Sequence, residues 1–160
     1  MTAVPKRASR DEVTVEATRF LPVSRERVFD CWTSAEHICH WFAPRGFSLH
    51  SCEADARPGG IFRLTMRAPD GGEHQVVGAY REVVRPERLV IECGASDEDG
   101  APMLDEVIRV TFAVEGKGTR LSLQATAGGT SENAKRALGG MKRGWSETLD
   151  RLGERAGTGN

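Results

Sequence analysis

From Phe47 to Thr126 the chain repeats one pattern six times: a short run of alternating apolar and polar residues, most of them closed by a turn signal. The runs are FSLHSCEA, IFRLTMRA, HQVVGAYREV, RLVIECGA, EVIRVTFAVE and TRLSLQAT. Alternation of period two lays every second side chain on one face of a strand. Pro69-Asp70-Gly71-Gly72, Arg85-Pro86-Glu87, Asp97-Glu98-Asp99-Gly100 and Gly116-Lys117-Gly118 separate them. Such links are too short for a crossover helix, so neighbouring strands must run antiparallel. One parity collects Phe62, Leu64 and Met66, then Leu89 and Ile91, then Ile108, Val110, Phe112 and Val114, then Leu121 and Leu123. A sheet with one apolar face needs a cover.

The flanks supply it. VTVEATRF reads as a further strand stopped by Pro22. Ser24 then caps a helix whose Val28, Phe29 and Trp32 fall on one face, and Ser34 caps a second through about Trp41. Pro44 and Gly46 end the helical stretch. After Thr130 or Ser131, the residues Ala134, Leu138, Met141, Trp145, Leu149 and Leu152 step by three or four. One helix over this stretch would run about 35 Å, enough to cross a sheet. The expected fold is α+β: a curved antiparallel sheet of six to seven strands, two short helices after strand one, and a long C-terminal helix across the sheet. Residues 12–156 form the expected single domain, with residues 1–11 and 157–160 as disordered tails.

Against 22 basic residues stand 23 acidic ones, a net charge of −1 that gives no field for nucleic acid or an anionic membrane. MTAVPKRASR has no apolar core of a signal peptide, and no stretch approaches the ~20 apolar residues of a membrane span. The expectation is a cytoplasmic protein with Cys31, Cys39, Cys52 and Cys93 as thiols.

Candidate chemistry is sparse. Gly59 and Gly60 precede a strand rather than a helix, so they read as a corner, not a phosphate cradle. Gly116-Lys117-Gly118-Thr119 lacks the upstream glycine of a P-loop and reads as a hairpin. Cys31, His37, Cys39, His40, His50 and Cys52 crowd together, with His50 and Cys52 on one strand face, but fit no zinc template. No metal and no cofactor are expected. No nucleophile elbow is present. Glu106 shares the parity of Ile108 and is the one candidate acid; it points inward, where desolvation would raise its pKa, or lies at a wet strand end. Lys135, Arg136, Lys142, Arg143 and Arg151, mixed with acids, read as a solvated helix face. Gly139, Gly140 and Gly144 interrupt the last helix, as a kink or as room for a close neighbour.

Four motifs carry a resemblance: Val28-Phe29 with Trp32-Thr33, Trp41-Phe42-Ala43-Pro44, Asp55-Ala56-Arg57-Pro58-Gly59-Gly60-Ile61-Phe62, and Gly144-Trp145 with Leu149 and Leu152. In this order, over about residues 12–155, the chain resembles the START-like (SRPBCC) helix-grip superfamily, and within it the family of homologues of the activator of the heat-shock-protein-ninety ATPase. The resemblance implies a sheet gripping the last helix around an apolar cavity. Trp41, Phe42, Phe62, Leu64, Met66, Tyr80, Ile91, Ile108, Val110, Met141 and Trp145 are the expected lining, with Tyr80 or Arg63 orienting a ligand. Asp55, Arg57, Pro58, Gly59, Gly60 and Gly144 are the expected structural motif, with the corner beside the cavity mouth. The expected function is binding of a small apolar or aromatic molecule without robust catalysis. The alternatives are a chaperone-associated, stress-response domain and a polyketide cyclase or dehydratase using Glu106 and a tyrosine. A chaperone contact is the further partner this implies, and a homodimer is a separate expectation.

Overall fold

The computed structural model describes residues 10–157. In chain order it has β1 (Asp11–Leu21), α1 (Arg25–Thr33), α2 (Ala35–Trp41), β2 (Ser48–Ala54), β3 (Ile61–Arg67), β4 (Glu73–Val84), β5 (Arg88–Ser96), β6 (Pro102–Glu115), β7 (Gly118–Gly129), α3 (Glu132–Gly139) and α4 (Met141–Gly157). The seven strands form one antiparallel sheet in the order β1-β7-β6-β5-β4-β3-β2. The expected meander is present, with β1 closing it beside β7. Asp11 opens β1, Arg10 holds Asp105 with paired hydrogen bonds of 2.8 and 2.6 Å, and Gly157 ends α4. The remainder of both expected tails, residues 1–9 and 158–160, lies outside the described residues.

All helices pack against one face of the sheet, which buries Phe62, Leu64, Ile91, Ile108, Val110 and Leu121. Val114, expected on the same face, is 65% exposed because it lies near the end of β6, beyond the helical cover. Ser24 caps α1 through its side chain, whereas Ser34 starts α2 without one. Between helices and sheet, Trp32 meets Trp41 edge-on at 4.7 Å and stacks on Trp145 at 6.5 Å. Phe29 and Phe112 close the cluster at 5.6 Å. Tyr80 is fully buried and donates its hydroxyl to the Trp32 carbonyl at 2.8 Å.

The single terminal helix of the sequence reading is two. Gly140 leaves helical geometry at φ −99° and ψ 4°, its N–H reaching the Ala137 and Leu138 carbonyls. Two successive glycines, each costing about 1 kcal/mol in a helix interior, make this the weakest point of the stretch.

The cysteine expectation is also corrected. Cys39 of α2 and Cys52 of β2 form a disulfide, with Cα atoms 5.8 Å apart, while Cys31 and Cys93 are free. The packing of α2 on β2 brings the pair within bridging reach. A bulge between His50 and Glu53, with Ser51 at φ 52°, breaks the strand alternation. Cys52 therefore meets α2, whereas His50 stays opposite Thr65 with its Nε2 3.2 Å from the Ser48 hydroxyl. His37 accepts from Arg155 Nε at 3.0 Å. Burial and the nearby Arg155 and Arg27 push its pKa down. Among the described residues no three His, Cys, Asp or Glu side chains gather as a metal site.

The Gly59-Gly60 corner is a tight backbone knot. Gly59 N–H donates to the Tyr80 carbonyl and Gly60 N–H to the Arg57 carbonyl, each at 2.7 Å, so neither is left to cradle an anion. Gly59 sits at φ 84°, and a Cβ on Gly60 would meet the Asp55 carbonyl oxygen at 1.9 Å. Asp55 and Arg57 pair at 2.8 Å on the outside, and Pro58 is exposed. The lysine-bearing turn joins β6 to β7, with Gly116 at φ 58°.

Candidate functional site

Cross-strand register decides where this molecule is hollow. One row across the helix-covered face runs Leu64, Val76, Ala95, Leu104, and the next runs Phe62, Gly78, Cys93, Glu106, Ala127. From β4 onward these rows hold mostly short side chains. Over them lie Gly140, Met141, Gly144 and Trp145 of the broken terminal helix, two of them glycines that send nothing downward. The result is a half-open cleft of about 730 Å³. Phe42, Pro44 and Phe47 form its side wall, and Met66 and Met103 add sulfur-bearing side chains.

The side wall is clamped from behind. Arg151 of α4 donates from Nη1 to the carbonyls of Ala43, Pro44 and Phe47 at 2.9, 3.0 and 3.1 Å, and from Nη2 to that of His40 at 3.2 Å. Burial and the neighbouring Arg45 push its pKa down. It is a structural strut rather than part of a solvated face. The Cys39–Cys52 bridge closes the same segment from the other side.

Polar groups inside are few. Glu106 stands in the cleft, and its Oε2 accepts from Trp145 Nε1 at 2.9 Å. Burial raises its pKa, and the indole N–H opposes that rise. Cys93 lies opposite it in register, and burial together with Glu106 pushes its thiol well up, so it stays protonated. His74 places Nδ1 2.9 Å from the Ser96 carbonyl. At the rim, Asp97, Glu98 and Asp99 of the β5–β6 hairpin face Arg136 and Arg143 of the helices.

The sequence profile described as "Activator of Hsp90 ATPase homolog 1-like protein" matches residues 22–157. The chain belongs to this family, within the START-like (SRPBCC) superfamily. Solved structures agree. An uncharacterised protein of Rhizobium leguminosarum is 23% identical, with a TM-score of 0.79 over 92% of this chain and 96% of that one. A protein of Chromobacterium violaceum is 26% identical, with a TM-score of 0.68 over 89% and 96%. The AHSA1 protein of Silicibacter pomeroyi is 19% identical, with a TM-score of 0.72 over 89% and 96%. No curated protein matches the chain.

Within this family frame the expected residues separate into two groups. Phe42, Met66, Met141 and Trp145 line the cleft, as do Glu106 and Gly144. Trp41, Phe62, Leu64, Tyr80, Ile91, Ile108 and Val110 belong to the filled core and are not in the cleft lining. Tyr80 is the one tyrosine of the chain, so the pairing of Glu106 with a tyrosine is not assembled in the cleft. Arg63 is exposed and pairs with Glu53 on the opposite face of the sheet. The corner Asp55, Arg57, Pro58, Gly59 and Gly60 lies away from the cleft lining rather than at its mouth. Sequence reasoning missed Val76, Cys93, Ala95 and Ala127, because it sought large apolar side chains where a hollow needs short ones. The signal was available as a cluster of Ala, Cys and Gly on the inward parity of β5 and β7.

Proposed function

We propose that this chain is a ligand-binding module whose cleft takes one small apolar or aromatic molecule without covalent chemistry. The observation that carries this is the 730 Å³ space over short side chains, lined by Phe42, Trp145 and three methionines. Its size falls within the range of about 300–1,000 Å³ usual for small-molecule sites. Burying ligand carbon there contributes about 25 cal/mol per Å². Thioethers adapt to guests of different outline, which suits a wall shared by Met66 and Met141. The reading treats residues 12–156 as one binding domain.

Calorimetric titration with N-phenylnaphthylamine tests it, expecting saturable one-to-one binding. Gly144→Leu should fill the cleft, because a Cβ there meets only Pro44 Cγ at an ordinary 3.6 Å. It should fold normally and bind about tenfold more weakly, a loss of ~1.4 kcal/mol. Absence of binding to the unaltered chain sinks the reading. Native mass spectrometry of the purified protein would also read out a retained guest and the oligomeric state. The family's description supports a second reading, contact with a chaperone ATPase. Co-precipitation with that ATPase tests it.

A further inference from the structure

The donors and acceptors of the cleft are unevenly used. Three inner donors are already committed. Trp145 Nε1–H goes to Glu106, the Thr148 hydroxyl goes to the Gly144 carbonyl at 2.7 Å, and His74 Nδ1 faces the Ser96 carbonyl. A carbonyl can only accept, so Nδ1 carries the hydrogen of that contact. Glu106 has its other oxygen with no donor from the described residues. Apart from the Cys93 S–H, the inner position left without a partner among the described residues is an acceptor, the second oxygen of Glu106.

The charges point the same way. Five lining acids, Asp97, Glu98, Asp99, Glu106 and Glu147, outnumber three arginines, Arg45, Arg136 and Arg143. Arg143 pairs with one of these acids, Glu147, at 3.1 Å and Arg45 with Glu154, while Arg136 meets the neutral Asn133, so the lining keeps an excess of two acids. Glu106 lies between Cys93 and Ala127 in register, and its Oε2 meets the N–H edge of the Trp145 indole. A carboxylate whose second oxygen has no donor suits an ammonium group, which gains a charge-assisted hydrogen bond there.

We propose that the guest of this cleft has an apolar body carrying one protonated amine, and that the amine sits on Glu106. This rests on the ligand-binding reading above and specifies its chemistry. Glu106 is then the residue that sets specificity, and Trp145 holds the receiving carboxylate in place.

Three naphthalene probes of nearly equal shape separate the cases: naphthylmethylamine, naphthylmethanol and naphthylacetate, each titrated calorimetrically into the full chain. The amine should bind about tenfold more tightly than the alcohol, and the acetate most weakly. Glu106→Gln keeps the shape and an acceptor for Trp145. It should erase the amine's advantage over the alcohol, bringing the two affinities together. Glu106→Asp, which keeps the charge, should retain the order and serves as the check if the glutamine variant fails to fold. Equal binding of amine and alcohol overturns the proposal while leaving the cleft reading intact. An advantage that survives Glu106→Gln also overturns it, assigning the preference to the rim acids. If no probe binds the unaltered chain, the cleft reading falls as well.

Discussion

Tyr80, Ile91, Ile108 and Ala125 lie in register across four strands, and one row over lie Gly78, Cys93, Glu106 and Ala127. The first row is covered by the aromatic cluster of α1 and α2 and by the later turns of α4, and it is packed solid. Of the second, Cys93, Glu106 and Ala127 lie under the broken start of the same terminal segment and line the open cleft. Sheet, face and covering segment are shared, so the difference comes from side-chain length on the floor and from glycine in the roof. A fold of this kind can place a hollow by shortening one row of residues without altering topology.

The contrast is sharpest in Leu149→Ala against Met141→Ala. Leu149 is buried in the filled half, and its truncation should cost about 2–5 kcal/mol in urea denaturation. Met141 roofs the cleft, and its loss should cost less than about 2 kcal/mol, since its side chain already faces open space on one side. Equal costs would break the comparison. Next in size is Cys39→Ser. The bridge spans 13 residues, and its loss without reductant should lower stability by about 2–3 kcal/mol. It should also weaken probe binding, because the freed segment carries Phe42, Pro44 and Phe47. Arg151→Met should cost about 1–2 kcal/mol by leaving carbonyls of that wall short of donors, with the same drop in probe affinity.

The smallest effect concerns Glu106. Its folded pKa is raised above the unfolded value, so the stability of the neutral form is fully present below the unfolded pKa. That contribution is lost as pH rises through the folded pKa. Wild type should therefore lose stability relative to Glu106→Gln over the window between the ordinary glutamate pKa and its raised value. Urea midpoints of both proteins across that window check the sign. A constant difference would place Glu106 in water and move it from the hollow row to the rim.

The fold was legible because its signals are local. Alternation from Phe62 to Met66, the turn at Pro69-Asp70-Gly71-Gly72 and the cap at Ser24 each act within a few residues. The site was legible only in part, because it depends on register. Parity placed Ile108 and Glu106 on one face, but nothing local says that Ile108 meets Tyr80's row while Glu106 meets Ala127. The disulfide escaped for a related reason: the bulge at Ser51 changes which side of β2 Cys52 presents. Arg151 read as a surface charge because its carbonyl partners lie more than 100 positions away in the chain.

The stacking of Trp145 on Trp32 has a practical consequence. All three tryptophans of the chain sit in one cluster, with ring centroids 4.7 and 6.5 Å apart, and only Trp145 borders open space. Indole emission shifts with the polarity beside the ring, and excitation passes readily over such separations. The molecule therefore carries its own optical gauge, in which two shielded chromophores supply a steady background and the third reports when the space beside it fills.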